Sequence, residues 1–488
     1  MKKIYISLFA LSCYFISGCS NDFLDVDQTE SVSTKDIELF NNDAGAATFV
    51  TSIYSKFLDY NMSSFSWNGV TSIASDDADK GSSPGDTGTD KDVMDALTYN
   101  PSSLSIVEIF SANYEAINRC NQAINIIPQL DKADANLRAR LIGEAKFLRA
   151  FMYFTLVKTY GGVPIIDRLP NPSSQEDRIM QLARKSKEEV YAFIEKDLTE
   201  AALVLLDKSQ YPNSEKGRAS KGAAYALLAK VNLYQKNWQK VIDNCNLVTG
   251  YSIVPNYASM FRLAGENDAE SIFEIQGTGQ GVGSATIKGI QNYSVSQGAR
   301  GAGGWGWGFN TPSESLLNAY EAGDVRKNAT IIFAGTTLYD DRVVPLTVEN
   351  PRYNYKAYSS AIPDADQSDT NIKYLRYADV LLMKAEALNE LNQTTVAIPL
   401  LNEIRTRAGL ANTTATSQAA VRIAIWKERR VELAFEHDRF YDLVRTGQAV
   451  AAFAIHGKTF VAGKHEVFPI PQIFINESAG LSNQNPGY

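Results

Sequence analysis

Apolar residues recur at every third or fourth position over much of this chain, the spacing of amphipathic helices. The pattern predicts helices over 44–60, 106–127, 137–160, 183–206, 219–235, 237–249, 376–391 and 395–408, and one long amphipathic stretch over 417–446. Tyr114, Ile117, Cys120, Ala123 and Ile124 mark one such stripe, and Leu141, Ala145, Leu148, Phe151, Met152 and Leu156 another. The helix over 137–160 stops at Gly161-Gly162 with Pro164 close behind, the punctuation of a helix C-terminus. Gly409 and Gly447 close two others.

Two pairs of these helices resemble each other. The first pair turns at Lys236-Asn237, and its Leu227-Leu228-Ala229-Lys230 matches Leu381-Leu382-Met383-Lys384 in the second. This is the layout of a tetratricopeptide-like repeat. Two stretches break the pattern, at about 61–105 and 250–375. They are rich in Gly, Ser, Asp and aromatics, and the second carries short β-like runs such as Ser271-Ile272-Phe273-Glu274-Ile275. Loops this long are functional or disordered, and the aromatic content argues against disorder. The expected fold is mainly α: one body over 37–488, helical repeats with a loop-rich subdomain containing short β-strands.

The N-terminus reads as a processing segment. Lys2 and Lys3 precede an apolar run from Ile4 to Ile16, too short for a membrane span of about 20 residues. Ile16-Ser17-Gly18-Cys19 places two small residues before a cysteine, the pattern at which a lipoprotein signal is cut and the thiol lipidated. Residues 1–18 are therefore expected to be a signal peptide, Cys19 the lipidation site, and 19–36 an acidic tether in which Phe23 and Leu24 dock on the body. Two or more acyl chains suffice for stable anchoring.

Removing that signal leaves 45 basic against 55 acidic residues. Such a balance argues against nucleic acid, which needs a basic surface, and fits a neutral ligand better than an anionic one. Cys120 and Cys245 remain, both at apolar positions of helices, and read as small buried hydrophobes rather than a disulfide.

Enzyme motifs fail on physical grounds. Gly81-Ser82-Ser83-Pro84-Gly85 matches a nucleophile elbow, but Pro84 has no N–H to give an oxyanion hole. Gly301-Ala302-Gly303-Gly304-Trp305-Gly306 matches a dinucleotide fingerprint without a strand before it. Asp76, Asp77, Asp79 and Asp86 crowd one turn, but with Gly81 where a calcium loop wants Asp or Asn. A solvated acidic turn is expected there, a structural calcium ion being the lesser alternative; no other cofactor, no catalytic residue and no metal site is expected. His437, His456 and His465 show no metal-ligand spacing.

Several segments resemble the SusD/RagB family of outer-membrane lipoproteins. They are Gly143 to Phe154 running on to Tyr160-Gly161-Gly162-Val163-Pro164; Arg376 to Ala387; Ile404 to Leu410; and Glu428 to Glu436 continuing through Arg439 to Arg445. Phe468-Pro469-Ile470-Pro471 and Asn483 to Tyr488 complete the order. The resemblance implies about four tetratricopeptide-like helix pairs, a cell-surface lipoprotein, a glycan or sometimes peptide ligand, and a TonB-dependent outer-membrane transporter as partner. Arg149, Arg376, Arg405, Arg429 and Arg439 lie near Glu144, Asp379, Glu403, Glu432 and Asp442, and most are expected to form buried ion pairs between helices.

A sugar offers apolar ring faces and a rim of hydroxyls, so aromatic and polar side chains on loops over a rigid scaffold are the candidates. These are Trp67, Asn68, Asp77 and Lys80 in the first irregular stretch and Tyr293, Arg300, Trp305 and Trp307 in the second, with Trp67 and Trp305 placed ahead of Trp307. The competing readings are a peptide-binding lipoprotein of the same architecture, a lipid-anchored scaffold binding proteins only, and a secreted hydrolase.

Overall fold

A computed structural model describes residues 34–83, 86, 89–278, 289–361 and 366–488. The expected signal peptide, Cys19 and most of the tether, with Phe23 and Leu24, lie outside the described residues; a helix already runs over Thr34–Phe40.

Ten helices carry the description: α1 Asp43–Tyr54, α2 Leu104–Ile126, α3 Ala135–Tyr160, α4 Lys187–Val204, α5 Lys221–Tyr234, α6 Trp238–Leu247, α7 Tyr377–Glu390, α8 Thr394–Arg407, α9 Gln418–Glu432 and α10 Arg439–Arg445. α1 and α2 pack on α3; α3 packs on α4, α4 on α5, α5 on α6, α6 on α7, and α7 on α8 and α9. Each helix thus buries one face on the next, as repeat architectures do.

Local chemistry sets the ends. Asp134 caps α3 by accepting from the N–H groups of Asn136 and Leu137, both at 2.9 Å. Ser186 and Glu189 form a reciprocal capping box on α4. Gly143 lets α3 approach α4, since a Cβ there would meet Val204 Cγ2 at 2.5 Å. Among the described residues no helix is long and apolar enough to cross a membrane.

The two similar helix pairs share one turn geometry. Lys236 (φ 59°) and Asn392 (φ 61°) are both left-handed. The following N–H of Asn237 reaches back to Asn232 O at 2.9 Å, and that of Gln393 to Leu388 O at 2.8 Å. These are Schellman closures. Aligning the turns sets Lys230 opposite Glu386, both buried, so the matching Leu-Leu tetrapeptides stand two residues out of step.

Among the described residues eight short strands pair in antiparallel twos: β1 Ala78–Gly81 with β4 Phe309–Pro312, β2 Ser271–Ile275 with β8 Ile372–Arg376, β3 Ile290–Gln291 with β7 Gln367–Ser368, and β5 Ile331–Phe333 with β6 Arg352–Asn354. β1–β4 ties the two irregular stretches together.

The structure corrects two expectations. The stretch at 61–105 is no open loop: short helices at Tyr60–Ser63 and Phe65–Asn68 and a π-helical turn at Gly69–Ile73 run into β1, and the segment from Met62 to Ala78 is mostly buried. It packs against α2 and α10. The stretch over 417–446 is two helices, broken where Phe435 (φ 62°) and His437 (φ 70°) turn left-handed. The break points Glu436 at Arg376 Nε (2.6 Å) and Lys356 (2.7 Å), and Asp438 at Lys230 (2.5 Å). The two non-glycine residues at positive φ are thus held where neighbouring side chains enter buried ion pairs.

All five singled-out arginines are ion-paired, though not always to the acid nearest in sequence. Arg149 takes Asp197 (2.7 Å) rather than Glu144, and Arg405 takes Glu321 (2.9 Å) and Glu428 (3.1 Å) rather than Glu403. Arg429 takes Asp379 (2.7 Å) and Asp442 (3.2 Å). Arg439 reaches Asp76 (2.7 Å) in the acidic turn. Cys120 and Cys245 are buried and free.

Candidate functional site

The acidic turn follows the π-helical turn and is not the solvated turn expected: Asp76 and Asp77 are buried, drawn in by arginines brought from far along the chain. Asp76 accepts from Arg439 Nε and Nη2 at 2.7 and 2.8 Å, and Asp77 from Arg430 Nε at 2.7 Å. Burial acts to raise both carboxyls; the guanidiniums overcome it at Asp76, which is lowered, but not at Asp77. His456 Nε2 lies 3.1 Å from Asp79, and Arg300 pairs with Asp86. Among the described residues no group of three or more His, Cys, Asp or Glu side chains is arranged to hold a metal.

Six of the eight sequence candidates sit in the interior. Trp67 is 4% exposed, its ring 5.6 Å from that of His437, whose Nδ1 lies 3.1 Å from Thr71 Oγ1. Asn68 and Asp77 are buried as well, and the Asn68 side-chain amide has no hydrogen-bond partner among the described residues. Lys80 Nζ donates to Asp92 at 2.7 Å. Tyr293 opens a short helix, where its carbonyl takes the Gln297 amide. Trp305 is 6% exposed and edge-on to Tyr358 at 5.3 Å, with the Arg342 guanidinium over its ring at 5.2 Å.

Arg300 and Trp307 reach the surface, and together. Trp307 is 36% exposed and edge-on to Phe65, a residue of the first irregular stretch, at 6.2 Å. Phe65 is fixed in turn by Phe309 at 4.7 Å and by the Lys91 ammonium at 4.0 Å. The Arg300 stem lies along Gly308, where a Cβ would meet Arg300 Cβ at 2.7 Å. Its guanidinium meets Glu349 at 2.9 Å, Ser82 Oγ at 3.1 Å and the Asp86 carboxylate. Ser83 Oγ donates to the same Glu349 at 2.6 Å. The result is an open indole beside a patch of guanidinium, carboxylate and hydroxyl groups. Such an arrangement suits a ring with an apolar face and a polar rim.

Sequence reasoning missed Phe65 and Glu349, which complete this patch, and also Tyr339, which is 45% exposed. Tyr339 sits in Leu338-Tyr339-Asp340-Asp341-Arg342, an aromatic inside a polar turn, and that local contrast was the available signal.

Comparison with known proteins supplies the context. The family model described as "SusD family" matches residues 269–488, and one described as "Starch-binding associating with outer membrane" matches 22–233. SusD-like protein P2 of Formosa agariphila is 29% identical over 416 residues, covering 77% of this chain and 79% of its own. Starch-binding protein SusD of Bacteroides thetaiotaomicron is 24% identical over 473 residues, covering 81% of each chain. The solved structure of a laminarin-binding SusD-like protein, 29% identical, superposes with a TM-score of 0.77 over 92% of this chain and 100% of that one.

Proposed function

The chain belongs to the SusD/RagB family, and on that premise we propose that it is a cell-surface lipoprotein, anchored through Cys19, that binds oligosaccharide or polysaccharide and hands it to a TonB-dependent outer-membrane transporter. It acts by binding, without turning the glycan over. The observation that carries the reading is Trp307, open to solvent, with the Arg300 guanidinium 3.5 Å from its carbonyl oxygen and Asp86, Glu349 and Ser82 gathered on that guanidinium. The indole covers the C–H face of a pyranose while the charged and hydroxyl groups exchange hydrogen bonds with its rim. Laminarin and starch are the first ligands to try, because relatives are described as binding them. Anchoring beside a transporter raises effective concentration, so modest affinity suffices.

The test uses the chain from residue 20 onward in affinity gel electrophoresis against laminarin, starch and a panel of plant and host polysaccharides. Expected is retardation by at least one, with no product formed, and loss of retardation in Trp307→Ala. No retardation across the panel overturns the reading in favour of a peptide ligand or of binding only proteins; product formation overturns it in favour of a hydrolase.

A further inference from the structure

The charges gathered on Arg300 do not balance. Its Nε lies 2.9 Å from Glu349 Oε2, and its Nη1 pairs with the Asp86 carboxylate. Carboxylates and guanidiniums carry their charge at neutral pH. Among the described residues, the ion pairs of this patch therefore join one cation to two anions and leave one negative charge. None of the three is sealed from water: the side chains of Arg300, Asp86 and Glu349 are 29%, 20% and 39% exposed.

Backbone holds the trio in place. Glu349 N–H donates to Arg300 O at 2.8 Å, so this pair is joined through main chain as well as side chain. The bridge between Gly301 and Val348 extends that link by one residue. Ser82 N–H donates to Gly308 O at 2.5 Å, and Ser83 Oγ to Glu349 Oε2 at 2.6 Å. For the guanidinium to leave its two acids, contacts that fasten three chain segments together would have to break.

The atoms left over decide what a ligand can offer. Among the described residues, Arg300 Nη2 and Glu349 Oε1 take no partner. The first donates and the second accepts. A sugar hydroxyl does both, so hydroxyls can answer either atom. A ligand carboxylate or sulfate ester only accepts. It has no proton for Glu349 Oε1, and it meets two anions beside the one cation within its reach.

Resting on the glycan-capture reading and deepening it, we infer that Asp86 and Glu349 set the ligand class to uncharged glycan and turn away chains that bear uronate or sulfate groups. Arg300 serves there as a donor to hydroxyls and not as a receptor for anions.

Calorimetric titration of the chain from residue 20 onward tests this. The probes are the neutral polysaccharide that retards it in the gel (laminarin and starch are tried first) and the same polysaccharide oxidised at C6 to uronate. Linkage and chain length are kept and charge is added. Expected is binding of the oxidised form weaker by about fivefold or more, with the gap narrowing as added salt screens the repulsion. For variants the readout is the ratio of the two affinities. Asp86→Asn combined with Glu349→Gln should move that ratio toward the oxidised form, and Arg300→Gln should move it further toward the neutral one. Melting curves check the fold of each. An oxidised form that binds wild type as tightly as the neutral one overturns the inference and leaves the capture reading standing. So do folded variants whose ratios stay put or shift in the same direction, as loosened loops alone would make them, and so does a wild type retarded only by the anionic polysaccharides of the panel. Failure of wild type to bind any polysaccharide removes the capture reading, and this inference with it.

Discussion

Glu432 Oε1 accepts a hydrogen bond from Arg376 Nη1 at 2.9 Å, and both side chains are buried. The same carboxylate takes Arg407 Nη2 at 2.5 Å and Arg326 Nη1 at 3.0 Å. Three guanidiniums from three segments thus meet on one residue of α9, and the subdomain is fastened to the repeats there.

Burial acts to raise the Glu432 carboxyl, but Arg407, Arg376 and Arg326 outweigh it and hold the group well below the usual carboxylate range. Glu432→Gln leaves buried positive charge uncompensated and should cost about 3–5 kcal/mol, read as a lowered urea midpoint. The sign with pH follows. A carboxyl depressed in the folded state contributes fully above its unfolded value of about 4.3 and loses that contribution as pH falls below it. Wild type should therefore lose stability on acidification more steeply than Glu432→Gln.

Trp305 and Trp307 stand two residues apart and should behave oppositely. Trp307→Ala removes an open ring, so melting should stay unchanged while retardation in a glycan gel is lost. Trp305→Ala empties a site between Tyr358 and Arg342 and should cost about 3–5 kcal/mol. Equal melting losses in the two variants would contradict this division.

The helical frame was legible because its signals are local. Period, caps such as Asp134 and Ser186, and closing glycines all lie within a turn or two of the ends they set. The break after α9 was not legible: the apolar period runs on through Leu433 and Phe435 with no Gly or Pro, and what bends the chain is Arg376, Lys356 and Lys230, all distant in sequence. The same limit applies to the site. Aromatic richness marked both irregular stretches, but whether a tryptophan faces in or out depends on partners elsewhere: His437 lies against Trp67, and Phe65 props Trp307.

Cys120 and Cys245 are buried and free, and burial pushes both thiols up from their ordinary value. A protonated, enclosed thiol is a poor nucleophile. The chain from residue 20 onward holds no other cysteine. A thiol reagent should therefore leave the native protein unlabelled over the time in which it modifies both sites in urea; prompt labelling without denaturant would show that α2 or α6 opens.

Lys158, on α3, carries its charge at a cost. Its Nζ has no hydrogen-bond partner among the described residues and sits among the rings of Tyr441 (4.5 Å), Phe154 (4.7 Å), Tyr234 (5.6 Å) and Tyr374 (5.9 Å). Burial dominates, only partly countered by Asp438, and pushes its pKa down to about 7. In the unfolded chain the ordinary value is about 10.4. Below pH 7 both states hold the proton and the penalty is constant. Above it the folded state has released the proton while the unfolded state keeps it, so this residue makes stability rise with pH by about 1.4 kcal/mol per unit up to roughly pH 10. Lys158→Met fills the same space without the charge. It should be more stable than wild type at neutral pH, and the gap should close as pH climbs toward 10. Both proteins share every other titrating group, so a gap between their urea midpoints that narrows across that range reports Lys158; parallel curves would assign the titration elsewhere.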